Sequence, residues 1–155
     1  MNRQEPELDD LYKQIILDHY RHPRNREEVA GADVSAEGLN PLCGDEIRVQ
    51  VAFRDDAIDR IGFWGKGCSI SQSSASLMTE AVRAHTLGDA VRMKSEFEKM
   101  LTEGAEPAEE LGDIEALQGV AQFPVRIKCA LLPWKVLGEA LAERNGKSPE
   151  AVSTE

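Results

Sequence analysis

The chain has 155 residues, a length that suits one domain and lets it bury a core without disulfide staples. Hydrophobic residues make up 41% and charged residues 30%, an ordinary globular balance, and the longest apolar runs, such as "CALLPW", are far too short to span a membrane. With 28 acidic against 18 basic residues the net charge is -10, which repels nucleic acid and anionic lipid, so neither is expected as a partner.

The start, "MNRQEPELDD", has no positive region leading into an apolar stretch, so a cytoplasmic location is the expectation. Residues 7–21 then place Leu8, Leu11, Tyr12, Ile15, Ile16 and Tyr20 on one helical face, with acids in the first turn and Pro23 as the stop. A turn-rich stretch follows, with one short strand expected around residues 33–37. "EIRVQVAF" alternates Ile47, Val49, Val51 and Phe53 with more polar neighbours, the period of a strand with one buried face. "AIDRIGFWG", with Ile61 and Phe63 inward, supplies its antiparallel partner across the turn at "RDDAID" and ends in the glycine-flanked "GKGCS".

Beyond this hairpin the periodicity predicts a helix with Ile70, Leu77, Met78, Ala81 and Val82 inward and Ser69 or Ser71 as its cap. A turn at residues 86–89 and a second helix should follow. Residues 95–116 hold much of the acid, and a short helix is expected around residues 113–120. "VRIKCALLPWKVLGEALAERNGK" forms the last helix, packing Ile127, Leu131, Trp134, Leu137 and Leu141, with Gly146 just past its end. Pro133 within it must either kink the helix or delay its start to about Leu132, because proline leaves the carbonyl four residues earlier without a donor. The fold class is α+β, a small antiparallel sheet of about three strands packed against a layer of helices in one domain over residues 1–155. Its first six or so and last eight or so residues are expected to be disordered.

Cys43, Cys68 and Cys129 are an odd number, far apart, which argues against a disulfide framework. Free cysteine is commonly buried and inert, so local context has to carry any other reading. Cys43 precedes one strand of the hairpin and Cys68 follows its antiparallel neighbour, so the two lie at the same sheet edge and can meet. Gly44 lets the chain bend so that Asp45 turns toward the same point. With Cys129, three thiolates and one carboxylate make four ligands suited to a tetrahedral zinc, though the set is equally compatible with an iron-sulfur cluster. Each cysteine also has cations close by in sequence: Arg48, Lys66, and the pair Arg126 and Lys128. His19, His22 and His85 read as surface or packing residues, and Trp64 and Trp134 as core or partner-contact aromatics. "GFWGKG" lacks the spacing of a phosphate loop.

"NPLCGDEI", "GKGCSIS" and "RIKCALL", in this order, resemble the three cysteine motifs of the IscU-like family of iron-sulfur cluster assembly proteins. The likeness extends from "LYKQIILDHYRHPRN" to the last helix. Scaffold members of that family place a histidine immediately before the third cysteine and an LPPVK-like chaperone-docking stretch ahead of it; here Lys128 and "QFPVR" stand in those places. With the longer segment at residues 85–105 and the RIKC tetrad, the chain is similar to the SufU-type, zinc-dependent sulfur-transfer branch. The resemblance implies an IscU-like fold and a zinc held by Cys43, Asp45, Cys68 and Cys129. It also implies a sulfurtransferase in which Cys43 accepts persulfide sulfur from a SufS-type cysteine desulfurase and activates it, a docking or activating role for Arg126, and delivery to a downstream cluster-assembly complex. The alternative is a scaffold that builds and hands on nascent clusters.

Overall fold

The computed structural model describes residues 4–144 and 152–154. Helix α1 (Gln4–Arg21) precedes an antiparallel meander of β1 (Val34–Asn40), β2 (Asp45–Arg54) and β3 (Ala57–Lys66). Helices α2 (Ser69–Val82) and α3 (Leu87–Thr102), a 3₁₀ segment (Glu109–Gln122), α4 (Pro124–Glu143) and β4 (Val152–Ser153) follow. The class is α+β, but the sheet has four strands in the order β3-β2-β1-β4, and β4 pairs parallel to β1. Three of the eight tail residues expected to be disordered, 152–154, are thus placed at the sheet edge, with Thr154 N–H donating to the Leu39 carbonyl. The close approach depends on Gly38, where a Cβ would stand 2.8 Å from both Val136 and Val152 side chains. Residues 1–3, 145–151 and 155, and with them Gly146 and the rest of both expected disordered ends, lie outside the described residues.

The period-two pattern sets which side chains enter the core. Val34 and Ala36 of β1, Ile47, Val49 and Val51 of β2, and Ile61 and Phe63 of β3 are buried. Helix α4 packs on β1 and β2, and α2 packs on β3, α1 and α4. A register shift at Ala52 and Phe53 breaks the alternation: Ala52 is buried, and Phe53, expected inward, is half-buried beneath Arg144, whose guanidinium carbon lies 4.2 Å from the ring centroid.

The helices differ from expectation at three points. Helix α2 is capped by Cys68 itself, whose sulfur accepts from Ser71 N–H, and not by either serine. Helix α3 starts earlier than the expected turn allowed, because Thr86 Oγ1 accepts from Asp89 N–H and caps it. Helix α4 begins at Pro124 and continues through Pro133, so the start near Leu132 is not observed. Proline at the first helical position is favourable, and in the turn before Pro133 the Ala130 carbonyl accepts from the Ser74 hydroxyl at 2.7 Å. Burial of residues 129–134 holds that turn in place, with Trp134 stacked on Phe97 at 5.1 Å between centroids.

Over its described side chains, helix α1 packs less apolar surface than its pattern suggests. Leu11 and Tyr20 are exposed, Tyr12, Ile15 and Ile16 are half-buried, the side chain of Leu8 lies outside the described residues, and among those described the one driven fully inside is His19. Its Nδ1 lies 2.8 Å from Ser76 Oγ on α2, and Ser76 Oγ also accepts from Arg24 N–H. The α1–α2 contact is therefore polar at its centre. Burial lowers the His19 pKa and nearby Arg24 adds to this, against a partial opposing pull from Glu80 at 3.6 Å.

The sign of the resulting pH dependence is fixed. In the unfolded chain the imidazole takes a proton near about pH 6.5, while the folded chain holds it neutral to lower pH. This contribution is complete above the unfolded value and is lost as pH falls toward the folded one. Urea unfolding midpoints should accordingly fall more between pH 7.5 and about 5.5 in the natural protein than in His19→Gln. Parallel losses in the two proteins would contradict a buried neutral His19.

Candidate metal centre

The inward-facing row of the sheet changes character at one end. After Val34, Ala36 and Gly38 the next inward position of β1 is Asn40, and its partner across the β1–β2 turn is Asp45, at the head of the row Ile47, Val49, Val51. Both polar residues are 1% exposed. The turn between them carries Cys43, whose N–H donates to the Asn40 carbonyl at 3.2 Å. Gly44 follows at φ 70°, a left-handed conformation that costs glycine little.

Antiparallel pairing of Glu46 with Lys66 brings the end of β3 beside the start of β2, so Gly67 and Cys68 pass over Asp45. Cys68 N–H donates to Asp45 Oδ1 at 2.9 Å, and the Ser71 hydroxyl donates to the same oxygen at 3.0 Å. The backbone must come close for this: a Cβ on Gly67 would stand 2.3 Å from Asp45 Oδ1. From the third side, the N-terminal half of α4 delivers Cys129, fully buried, where Asn40 Nδ2 donates to its sulfur at 3.7 Å and its thiol faces the Val125 carbonyl at 3.7 Å.

Cys43, Asp45 and Cys129 converge, each offering one ligand atom within 4.8 Å of the other two. The Cys68 sulfur stands outside that group. It is turned onto the N-terminus of α2, accepting from Ser71 N–H at 3.5 Å, although its backbone is bonded to Asp45. Cys43 and Cys68 are half-buried and Cys129 is buried, so the centre opens to solvent on the side of the first two.

The donor set fits a zinc ion. Three sulfurs and a carboxylate oxygen are zinc ligands, and Asp45 Oδ2 is a buried oxygen with no hydrogen-bond partner, an arrangement that costs free energy unless a cation or donor satisfies it. Burial pushes the Cys129 thiol well above its ordinary pKa, and the neighbouring Cys43, Asp45 and Cys68 add to the rise. A metal is the means by which a thiol in such surroundings becomes a thiolate.

The cations near the cysteines in sequence do not gather at the sulfurs. Arg48 is bound to Glu37 at 2.7 Å and lies 5.2 Å over the Trp64 ring, and Lys66 pairs with Glu46 at 3.8 Å. Both are exposed and committed to carboxylates on the outer face of the sheet. Lys128 is exposed, as is Arg126, which joins Tyr12, Ile16, Ile70, Val120 and Phe123 around a groove next to the first turn of α4. Leu42, Phe123 and Val125, all more than half exposed, add an apolar surface close in sequence to Cys43 and Cys129. His22 and His85 are exposed, and none of the three histidines belongs to the convergent group.

Sequence reasoning did not single out Asn40 or Ser71 as partners of the ligands. The first could have been found from its phase in β1, which puts an amide in the inward row. The second stands three residues after a cysteine that caps a helix, the spacing of a capping contact.

Comparison with known proteins identifies the family. The model of the NifU-like N terminal domain matches residues 11–130. The zinc-dependent sulfurtransferase SufU of Bacillus subtilis is 45% identical over 141 residues, covering 90% of this chain and 95% of that protein. The iron-sulfur cluster assembly scaffold protein IscU of Streptococcus pyogenes is 40% identical over 135 residues, covering 86% of this chain and 84% of that one. The crystal structure of FiSufU from Fervidobacterium islandicum superposes with a TM-score of 0.78 at 36% identity, covering 83% of this chain and 94% of that chain. Matched by that family model over residues 11–130 and 45% identical to a SufU over 90% of its length, the chain belongs to the NifU-like N-terminal family of IscU-like proteins and is of the SufU type within it.

Proposed function

We propose that this protein is a zinc-dependent sulfurtransferase of iron-sulfur cluster assembly, accepting persulfide sulfur on Cys43 from a SufS-type cysteine desulfurase and activating that enzyme. The observation that carries the reading is the convergence of Cys43, Asp45 and Cys129 within 4.8 Å around a buried carboxylate oxygen that no protein group satisfies. Cys68, whose sulfur caps α2, would be the fourth residue to hold the ion. The zinc supplies charge that keeps thiols deprotonated at neutral pH without redox chemistry of its own.

The protein's own residues divide the work. Cys129 and Asp45 are buried and act as anchors, whereas Cys43 lies half-buried in a four-residue turn and is the sulfur a partner can reach. Its thiolate attacks the outer sulfur of the desulfurase persulfide. A new sulfur-sulfur bond forms at Cys43 as the old one breaks, and the desulfurase cysteine leaves as a thiolate with the electron pair, so no net oxidant or reductant is needed. Arg126, exposed among Phe123 and the apolar surface beside the centre, is the cation we assign to partner docking or activation. A downstream cluster-assembly complex would take the sulfur on, in the cytoplasm. The 40% identity to a protein named as an IscU scaffold makes cluster assembly on the same ligands the second reading.

Mixing the purified protein with a SufS-type desulfurase, cysteine and a thiol reductant separates these readings. The proposal expects one zinc per chain and a rise in alanine production that Cys43→Ala abolishes. Stimulation that survives in Cys43→Ala would overturn the acceptor role, and transfer of iron together with sulfide to an apo-ferredoxin would favour the scaffold. Arg126→Ala should retain zinc while weakening stimulation by about tenfold, as expected when a hydrogen-bonding charge is lost from an interface. A second variant tests the geometry without deleting a ligand: Gly67→Ala, whose methyl would collide with Asp45 Oδ1, should retain less zinc after dialysis against a chelator. Full retention in it would argue against Asp45 as a ligand.

A further inference from the structure

Ser71 is wholly buried and touches two of the four proposed ligands. Its hydroxyl lies 3.0 Å from Asp45 Oδ1 and 3.1 Å from the Cys68 carbonyl, its N–H is 3.5 Å from the Cys68 sulfur, and Gln72 Nε2 donates to its oxygen at 3.3 Å. A hydroxyl has one proton. The carboxylate is the nearer and the charged acceptor, so the proton belongs on Asp45, and the Gln72 amide fills a lone pair on the serine oxygen in support of that orientation. Asp45 Oδ1 then has two donors, Cys68 N–H and Ser71 O–H, while Oδ2 has none and is equally buried.

We infer that Ser71 is a positioning residue for the metal centre: by tying off Oδ1 it leaves Asp45 a single oxygen, Oδ2, to give to a cation, and so makes the carboxylate a one-point ligand. The inference rests on the metal reading above. A carboxylate held at one oxygen by two donors cannot pivot to grip a metal through both oxygens, and its ring of partners sets its orientation in advance. The same residue's N–H holds the Cys68 sulfur at the helix cap. Ser71 therefore links the oxygen ligand to the one sulfur that must move to complete the set. Ser73, on the same helix and also fully buried, donates to the Ile70 carbonyl at 3.3 Å and supplies a control that removes a buried hydroxyl elsewhere.

The test compares natural protein, Ser71→Ala and Ser73→Ala by zinc competition against a chromogenic chelator and by the ¹¹³Cd resonance of cadmium-loaded protein. Urea unfolding of each metal-free form reports that the fold is kept. Ser71→Ala is expected to bind zinc about tenfold more weakly and to shift the cadmium resonance as the carboxylate changes its mode of binding, with Ser73→Ala matching the natural protein in both. Equal zinc affinity and an unmoved resonance in Ser71→Ala would overturn the inference, as would equal losses in the two serine variants, which would mark a general packing effect. Failure of the natural protein itself to bind zinc would overturn the metal reading along with it, a result distinguishable from both.

Discussion

The arrangement depends on one buried carboxylate. Asp45 is 1% exposed at the end of a sheet row that is otherwise apolar, and a charge in such a place is costly unless its surroundings compensate it. Half of that compensation is visible in the hydrogen bonds to Oδ1 from the start of α2. Donors at a helix N-terminus suit an anion, and here they also bind β2 to the segment that carries Cys68. The other half is left to Oδ2, which has no hydrogen-bond partner, so the residue that clasps β2 to the start of α2 is also the one that, on the proposed function, would seat a cation.

Around that clasp, rigid elements hold the sulfurs at unequal depth. The sheet fixes Asp45 and the turn of Cys43, α4 packed on β1 and β2 fixes Cys129, and the hairpin edge brings Cys68 close without deciding where its sulfur points. Of the four proposed ligands, Asp45 and Cys129 are thus anchored in the core, and Cys43 and Cys68 lie toward solvent. A site intended only to staple a fold would have little reason for that gradient. A site that must present one sulfur to another protein has good reason for it, since the reactive atom needs access while the remaining ligands retain the metal.

Much of this was legible in the residue pattern, for reasons that also mark where legibility ends. Alternation along β2 and β3 specified the hairpin, and the hairpin by itself brought Cys43, Asp45 and Cys68 to one edge. Cys129 could be assigned to the same centre only through family resemblance, because its arrival depends on how α4 docks on the sheet, a tertiary fact with no local signature. His19 reads in the pattern as a surface or packing residue and not as the inward side chain of α1, because its neighbours are more hydrophobic, yet Ser76 gives the imidazole a partner inside. Phe53 packs against the core only in part because the register shifts beside it, and β4 has no local signature because its two residues pair with β1 only where Gly38 leaves room. Closeness in sequence is a poor guide to the cations for a related reason: along a strand alternate side chains take opposite faces, so Arg48 and Lys66 meet carboxylates on the outer face of the sheet.

The most direct test of the central claim is zinc K-edge X-ray absorption on the zinc-loaded protein. The account predicts a four-coordinate ion with three sulfurs at about 2.3 Å and one oxygen near 2.0 to 2.2 Å, which requires Cys68 to leave the α2 cap and join Cys43, Cys129 and Asp45. A first shell with two sulfurs or fewer would contradict it.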